Sequence, residues 1–183
     1  MQHDTSPHKA TIGGKERRVQ SASLVACYSH MLFFRLYPRF TRFECKIFLT
    51  EAMLYLGGAC VVCVIDNTHV VVLHGTGANM VPAPEMAAFA ERFHFDFKAH
   101  ELGDPDRKGR VEAPMKFIEH NFYAGRSFVD FEDANRKAVA WCAAGVLGLA
   151  LCGGGIELRD AAAQGKQELV TQSLEDGSVF EDY

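Results

Sequence analysis

The run Val61-Val62-Cys63-Val64-Ile65 is the feature that most constrains the fold of this chain. It is short, continuous and mostly β-branched. That is the pattern of a strand buried on both faces, and such strands belong to parallel sheets covered by helices. A helix leads into it. Thr41-x-x-Glu44 is a capping box, in which the Thr hydroxyl accepts a first-turn N–H while the Glu reaches back to the cap. Phe43, Ile47 and Leu54 follow at helical spacing, and Gly57-Gly58 supplies the stop. The sequence therefore predicts a helix over 41–56 that delivers the chain to a strand parallel to an earlier one.

Earlier strands are available. Gly13-Gly14 is a turn signal between 2–12 and 17–28, which predicts a hairpin. Met31 to Leu36, closed by Pro38, is a third strand candidate, giving an antiparallel meander. Downstream, Pro82 and Pro84 precede a helix over 85–93. Phe93, Phe95, Phe97 and Ala99 then alternate with His94, Asp96, Lys98 and His100, a strand with one wet face. Val111, Met115, Ile118 and Phe122 form an apolar helix stripe with Pro114 in the first turn, which places Glu112 near the helix start. A last amphipathic helix covers 131–142. The order β-β-β-α-β-α-β-α-α is the layout of an RNase H-like fold. It is an α/β class with a central mixed sheet, in which a three-stranded antiparallel meander joins parallel strands, flanked by helices.

In that layout Asp4 lies on the first strand, Asp66 ends the buried strand and Glu112 opens a later helix. Clustered carboxylates repel one another unless a cation joins them, so a trio of this kind implies hard divalent ions with oxygen ligands. Two such ions activate a nucleophile and stabilise the leaving oxygen at a phosphodiester. Spacing alone leaves the alternative open, because 23 acidic residues offer other triples and Asp66-Asn67 is also an ordinary turn. Other signals carry less. Cys60-x-x-Cys63 has no second ligand pair and reads as core thiols. His94 and His100 belong to a wet face, and His3 and His69 flank the acids without an assigned role. Gly75-Thr-Gly-Ala lacks the Lys-Ser/Thr of a phosphate loop and reads as a turn.

Several stretches resemble one family, in family order. They are Gln2-His-Asp-Thr-Ser-Pro-His8, Tyr37-Pro-Arg-Phe-Thr-Arg-Phe-Glu-Cys45 and Val64-Ile-Asp-Asn-Thr-His-Val-Val-Val72. Met80-Val-Pro-Ala-Pro-Glu-Met-Ala-Ala-Phe89, Gly109-Arg-Val-Glu112 and Phe117-Ile-Glu-His-Asn-Phe-Tyr-Ala-Gly-Arg126 continue the series. Residues 1–142 resemble the catalytic core of IstA-type insertion-sequence transposases, members of the DDE integrase superfamily. The resemblance implies that Asp4, Asp66 and Glu112 hold two Mg²⁺ or Mn²⁺ ions, with Asp4 bridging them. It implies DNA 3′-end cleavage followed by strand transfer. By the same resemblance Asn67 lines the site, while Lys108 and Arg110 contact DNA phosphates. Expected partners are transposon ends and target DNA, further copies of the chain, and an AAA+ ATPase helper encoded nearby. Two rival functions are a degenerate transposase fragment that keeps the fold, or interferes with sister copies, and a structure-specific nuclease of the same fold.

Charge marks the limit of the resemblance. The 183-residue chain has a formal net charge of −4, which taken alone argues against a nucleic-acid binder. Residues 1–142 hold 17 Lys+Arg and 16 Asp+Glu, whereas residues 143–183 hold 2 and 7. The acidity therefore lies in a segment outside the family pattern. Residues 143–183 are expected to be a separate, poorly packed tail, translated out of frame, in a transposase reading frame truncated at both ends. No apolar run reaches the roughly 18–20 residues of a membrane helix. The six cysteines and the lack of an apolar leader suit a reduced cytoplasmic protein, nucleoid-associated when on DNA.

Overall fold

The structure is a computed structural model that describes residues 1–66, 69–99 and 114–153. A sheet of six strands forms its centre. β1 (Gln2–Ile12) and β2 (Lys15–Val25) make an antiparallel hairpin in full register from Gln2↔Val25 to Ile12↔Lys15. Gly13 and Gly14 form the turn with φ of 61° and 72°, values glycine adopts without a Cβ penalty. β3 (Leu32–Tyr37) adds antiparallel to β2. β4 (Val62–Ile65) pairs parallel with the start of β1 and with β7 (Asp96–Ala99), giving the order β3-β2-β1-β4-β7. This is the mixed sheet and parallel crossover expected from the helix–strand succession.

Helix α1 (Arg42–Leu56) carries the predicted cap. Thr41 and Glu44 complete the capping box, and Gly57 closes the other end in the left-handed conformation. The face that packs is not the one expected. Cys45, Phe48, Leu49, Ala52 and Met53 are buried, while Phe43, Ile47 and Leu54 are 55%, 38% and 38% exposed. α1 is apolar on more than one side, so two stripes satisfy the 3.6-residue period and only packing selects between them. The strand after α1 is also less enclosed than its sequence implies. Cys63 and Ile65 are fully buried, Val62 and Val64 are half-buried, and Val61 lies exposed before the strand. Cys60 is likewise exposed, so only the second thiol of the pair is a core group.

Short elements absent from the expected order complete the fold. β5 (Val72–His74) and β6 (Val81–Pro82) form a separate two-stranded sheet around a 3₁₀ turn at Gly77–Asn79. α2 (Pro84–Arg92) follows with proline at its start. Residues 114–118 begin a helix, α3, that ends in a π turn over Glu119–Tyr123. β8 (Ser127–Phe128) pairs parallel with the far end of β1. α4 spans Phe131–Gly153, running past the predicted end at residue 142. No helix among the described residues is long and apolar enough to cross a membrane.

Two cores cover the two faces of the sheet. His3, Leu24 and Phe33 align across β1, β2 and β3 on the face packed by α1. Phe34, Leu36 and Val19 lie on the other face with Met115, Ile118 and Phe122 of α3 and Ala134 and Ala138 of α4. The edge strand β3 is closed by a side chain. The Asn135 carboxamide oxygen accepts the Leu36 N–H at 2.8 Å, and its nitrogen donates to the Leu36 carbonyl at 2.9 Å. A ladder position open to aggregation is thereby satisfied from α4.

Candidate active site

The site follows from strand register. Gln2↔Val64 and His3↔Ile65 are parallel partners, so the next residues are neighbours, Asp4 within β1 and Asp66 just past the end of β4. Alternation puts Asp4 on the face opposite His3, the face packed by α3 and α4. Ile65 is buried in the α1 core, and Asp66, the next residue, is close enough for its charge to act on Asp4. The start of β1 is tied into the sheet, with the Met1 amino group donating to the Val62 carbonyl at 2.8 Å and the Val64 N–H to the Met1 carbonyl at 2.8 Å.

Asp4 is partly buried, and its Oδ1 accepts the Thr5 N–H at 2.7 Å. Burial, with the negative charge of Asp66 adding to it against the Thr5 hydrogen bond, pushes the Asp4 carboxyl up to about 6. Asp66 is exposed beside it. An all-oxygen pair whose joint ionisation is costly is a donor set that fits a hard divalent cation. Among the described residues no group of three His, Cys, Asp or Glu side chains is arranged to hold a metal. Glu112, Asn67, Lys108 and Arg110 lie outside the described residues. The helix that follows Glu112 in the chain packs Met115, Ile118 and Phe122 onto the face that carries Asp4.

The flanking histidines take different positions. His3 is buried in the α1 core, with Nδ1 at 2.9 Å from the Ser23 carbonyl and its ring 5.1 Å from that of Phe48. Burial lowers its pKa to about 4, so it is a neutral core group. His69 is exposed, and its carbonyl accepts from Arg42 Nη2 at 3.5 Å, while Arg42 Nε donates to Val70. Arg42 thus ties the segment after Asp66 to the start of α1. Sequence reasoning gave no role to His8, which shares the face of Asp4. His8 Nδ1 lies 3.0 Å from Ser21 Oγ, Ser21 Oγ lies 2.6 Å from the Tyr123 hydroxyl, and the His8 and Tyr123 rings stack at 5.1 Å. This polar chain pins the π turn of α3 to the sheet.

The same fold is found in a retroviral integrase core. The catalytic core domain of BIV integrase superposes with a TM-score of 0.53 at 11% identity, covering 85% of this chain and 86% of that one. This chain has the fold of an integrase catalytic core. A chain of the simian T-cell lymphotropic virus intasome, solved with the PP2A regulatory subunit B56 gamma, gives a TM-score of 0.50 at 14% identity, over 75% of this chain and 46% of that one. Similarity in sequence points to transposases. The transposase of insertion sequence IS232 from Bacillus thuringiensis subsp. berliner is 32% identical over 139 residues, 73% of this chain and 31% of the relative. The transposase of IS21 from Pseudomonas aeruginosa is 24% identical over 144 residues, 78% of this chain and 37% of the relative. The chain spans less than half the length of those curated relatives. No family model matches it.

Proposed function

We propose that this chain is the catalytic core of an IstA-type DNA transposase that cleaves the 3′ ends of its element and transfers them to target DNA. The observation that carries the reading is the β1–β4 register, which sets Asp4, on the face where α3 packs, beside Asp66. Sequence similarity to two insertion-sequence transposases supports it. Asp4, Asp66 and Glu112 would hold Mg²⁺ or Mn²⁺. Such ions, when bound, supply charge stabilisation for in-line displacement at a phosphodiester.

The chain's own part is positional. The parallel ladder fixes the spacing of Asp4 and Asp66, and the Thr5 N–H fixes the orientation of the Asp4 carboxylate. The Ser21–Tyr123 bond and the core around Phe122 hold α3 against the sheet. Asn67 lines the site, while Lys108 and Arg110 contact substrate phosphates. The partners are transposon ends, target DNA, a second copy of the chain and an AAA+ ATPase helper, acting in the bacterial cytoplasm.

The test is Mn²⁺-dependent nicking and strand transfer by purified protein on DNA carrying the element's ends. Activity is expected, and Asp66→Asn or Glu112→Gln is expected to remove it. Activity that survives both changes overturns the site. Ion binding without nicking favours instead a degenerate core that keeps the fold.

A further inference from the structure

The far half of β1 carries a second polar surface, remote from the acidic pair. β4 pairs with β1 only at Gln2 and His3, and β8 only at Thr11 and Ile12. Between them β1 has no ladder partner on that side among the described residues. Pro7, with no N–H to donate, falls in this open stretch. Two clefts of about 330 and 640 Å³ lie beside it and share Lys9, Glu16 and Tyr123 in their linings. Arg126 and Ser127 line one, and Arg18 and Glu119 line the other.

The chemistry of this surface is that of a phosphate contact. Lys9 and Arg18 are direct cross-strand partners on exposed backbone, and Thr11 is paired with Ser127. Arg126 is exposed, and its guanidinium lies 5.0 Å over the Phe122 ring, which limits its freedom. Lys15 and Arg17 alternate with Glu16 and Arg18 and lie on the other face of the hairpin, where Arg17 Nε donates to the Ile12 carbonyl at 3.4 Å. Arginine, lysine and hydroxyl side chains are the groups that bind phosphate oxygens, whereas a protein partner would need a buried apolar or aromatic anchor. Two carboxylates share this surface: Glu16 Oε1 lies 2.8 Å from Lys9 Nζ, and Glu119 lines the cleft with Arg18. The chain as a whole is acidic, so this local excess is not a property of its bulk charge.

We infer that the β1–β2 hairpin and the α3–β8 turn form a DNA-backbone site, with Lys9, Arg18 and Arg126 contacting phosphates of a strand that passes the open edge of β1. Lys9 is five residues along β1 from Asp4, about 17 Å at the rise of an extended strand. The site therefore holds a part of the DNA away from the reacting bond. The inference rests on the DNA-processing reading, but its test does not use catalysis.

The experiment measures equilibrium binding of the full 183-residue chain to a labelled 30-base-pair duplex of arbitrary sequence, without divalent metal, across a salt series. Lys9→Gln/Arg18→Gln/Arg126→Gln is expected to weaken binding at least about tenfold at low salt and to lower the salt slope by roughly two to three. Glu16→Gln is expected to tighten binding, because it releases Lys9. Arg39→Gln/Arg92→Gln, at exposed positions elsewhere, provides the control. Lys9→Gln/Arg18→Gln, which leaves the Arg126–Phe122 packing intact, guards against misfolding of the triple variant. Unchanged affinity in that double variant overturns the inference, as does an equal loss per charge in the control. Competition by inorganic phosphate alone at concentrations matching the duplex phosphate would mean a site for a single anion, and would also overturn it. Loss of nicking with duplex binding intact at this groove would count against the active-site reading alone.

Discussion

Asp4, within β1, and Asp66, just past the end of β4, each lie one residue beyond the His3↔Ile65 partnership, with Asp4 on the face of the sheet opposite the buried His3. Two carboxylates so placed are costly to ionise together. The Asp4 carboxyl is held at about 6, well above its ordinary value, chiefly by burial, with the Asp66 charge a smaller contribution. Holding Asp4 in this position therefore costs stability. Asp4→Asn is expected to stabilise the metal-free protein at pH 7 by on the order of 1 kcal/mol, a figure reduced from the full shift because the group is partly solvated. The sign follows from proton binding. Between about pH 4 and 6 the folded state binds more protons than the unfolded one, so stability falls as pH rises through this window. Urea denaturation of the two proteins in EDTA, at pH 4.5 and pH 7, measures it. A variant less stable than the parent at pH 7 contradicts the burial argument.

His3 acts in the opposite direction. Its pKa is lowered to about 4 by burial, so the unfolded state binds the extra proton between about pH 6.5 and 4. Stability from this group is full above that window and lost as pH falls through it. In the Asp4→Asn background, where the neighbouring titration is removed, the protein is expected to lose on the order of 2–3 kcal/mol between pH 7 and pH 4. A flat profile in thermal unfolding over this range would show that His3 is not the buried neutral group described.

Asn135 holds the edge of β3 through both backbone groups of Leu36. Asn135→Ala is expected to cost about 2 kcal/mol, since it leaves a partly buried N–H and C=O without their partners. Chemical denaturation gives the value. Amide exchange at Leu36 should accelerate in the same variant, and an unchanged exchange rate would exclude the edge-closing role.

The attachment of α3 divides into a polar and an apolar part. Tyr123→Phe removes the 2.6 Å contact with Ser21 and is expected to cost about 1 kcal/mol, because Ser21 keeps its contact with His8. Phe122→Ala, at a fully buried ring, is expected to cost about 3–5 kcal/mol. Urea midpoints of the two variants rank them, and a larger loss for Tyr123→Phe reverses the assignment.

Much of this frame is legible in the residues, and what is not has physical causes. Gly13-Gly14 and the Thr41–Glu44 box act locally, through backbone conformation and a side-chain hydrogen bond, so each marks its element without reference to the rest of the chain. The inward face of α1 is a different matter. Phe43, Ile47 and Leu54 obey the helical period as well as Phe48 and Leu49 do, and only the position of the sheet decides which is buried. β5, β6 and β8 are two or three residues long, too short to show any period. Asp4 beside Asp66 was readable because one parallel crossover sets one register. The His8–Ser21–Tyr123 chain was not, because Ser21 and Tyr123 are 102 residues apart and meet only through packing of α3.

The central claim is that Asp4, Asp66 and Glu112 form one divalent-ion site. Titration of Mn²⁺ into the metal-free protein, followed by calorimetry, tests it directly. Binding is expected in the parent chain and is expected to weaken at least about tenfold in each of Asp4→Asn, Asp66→Asn and Glu112→Gln, because each change removes a charged oxygen ligand. Equal Mn²⁺ affinity in the parent and all three variants, or no binding in the parent, would contradict the account.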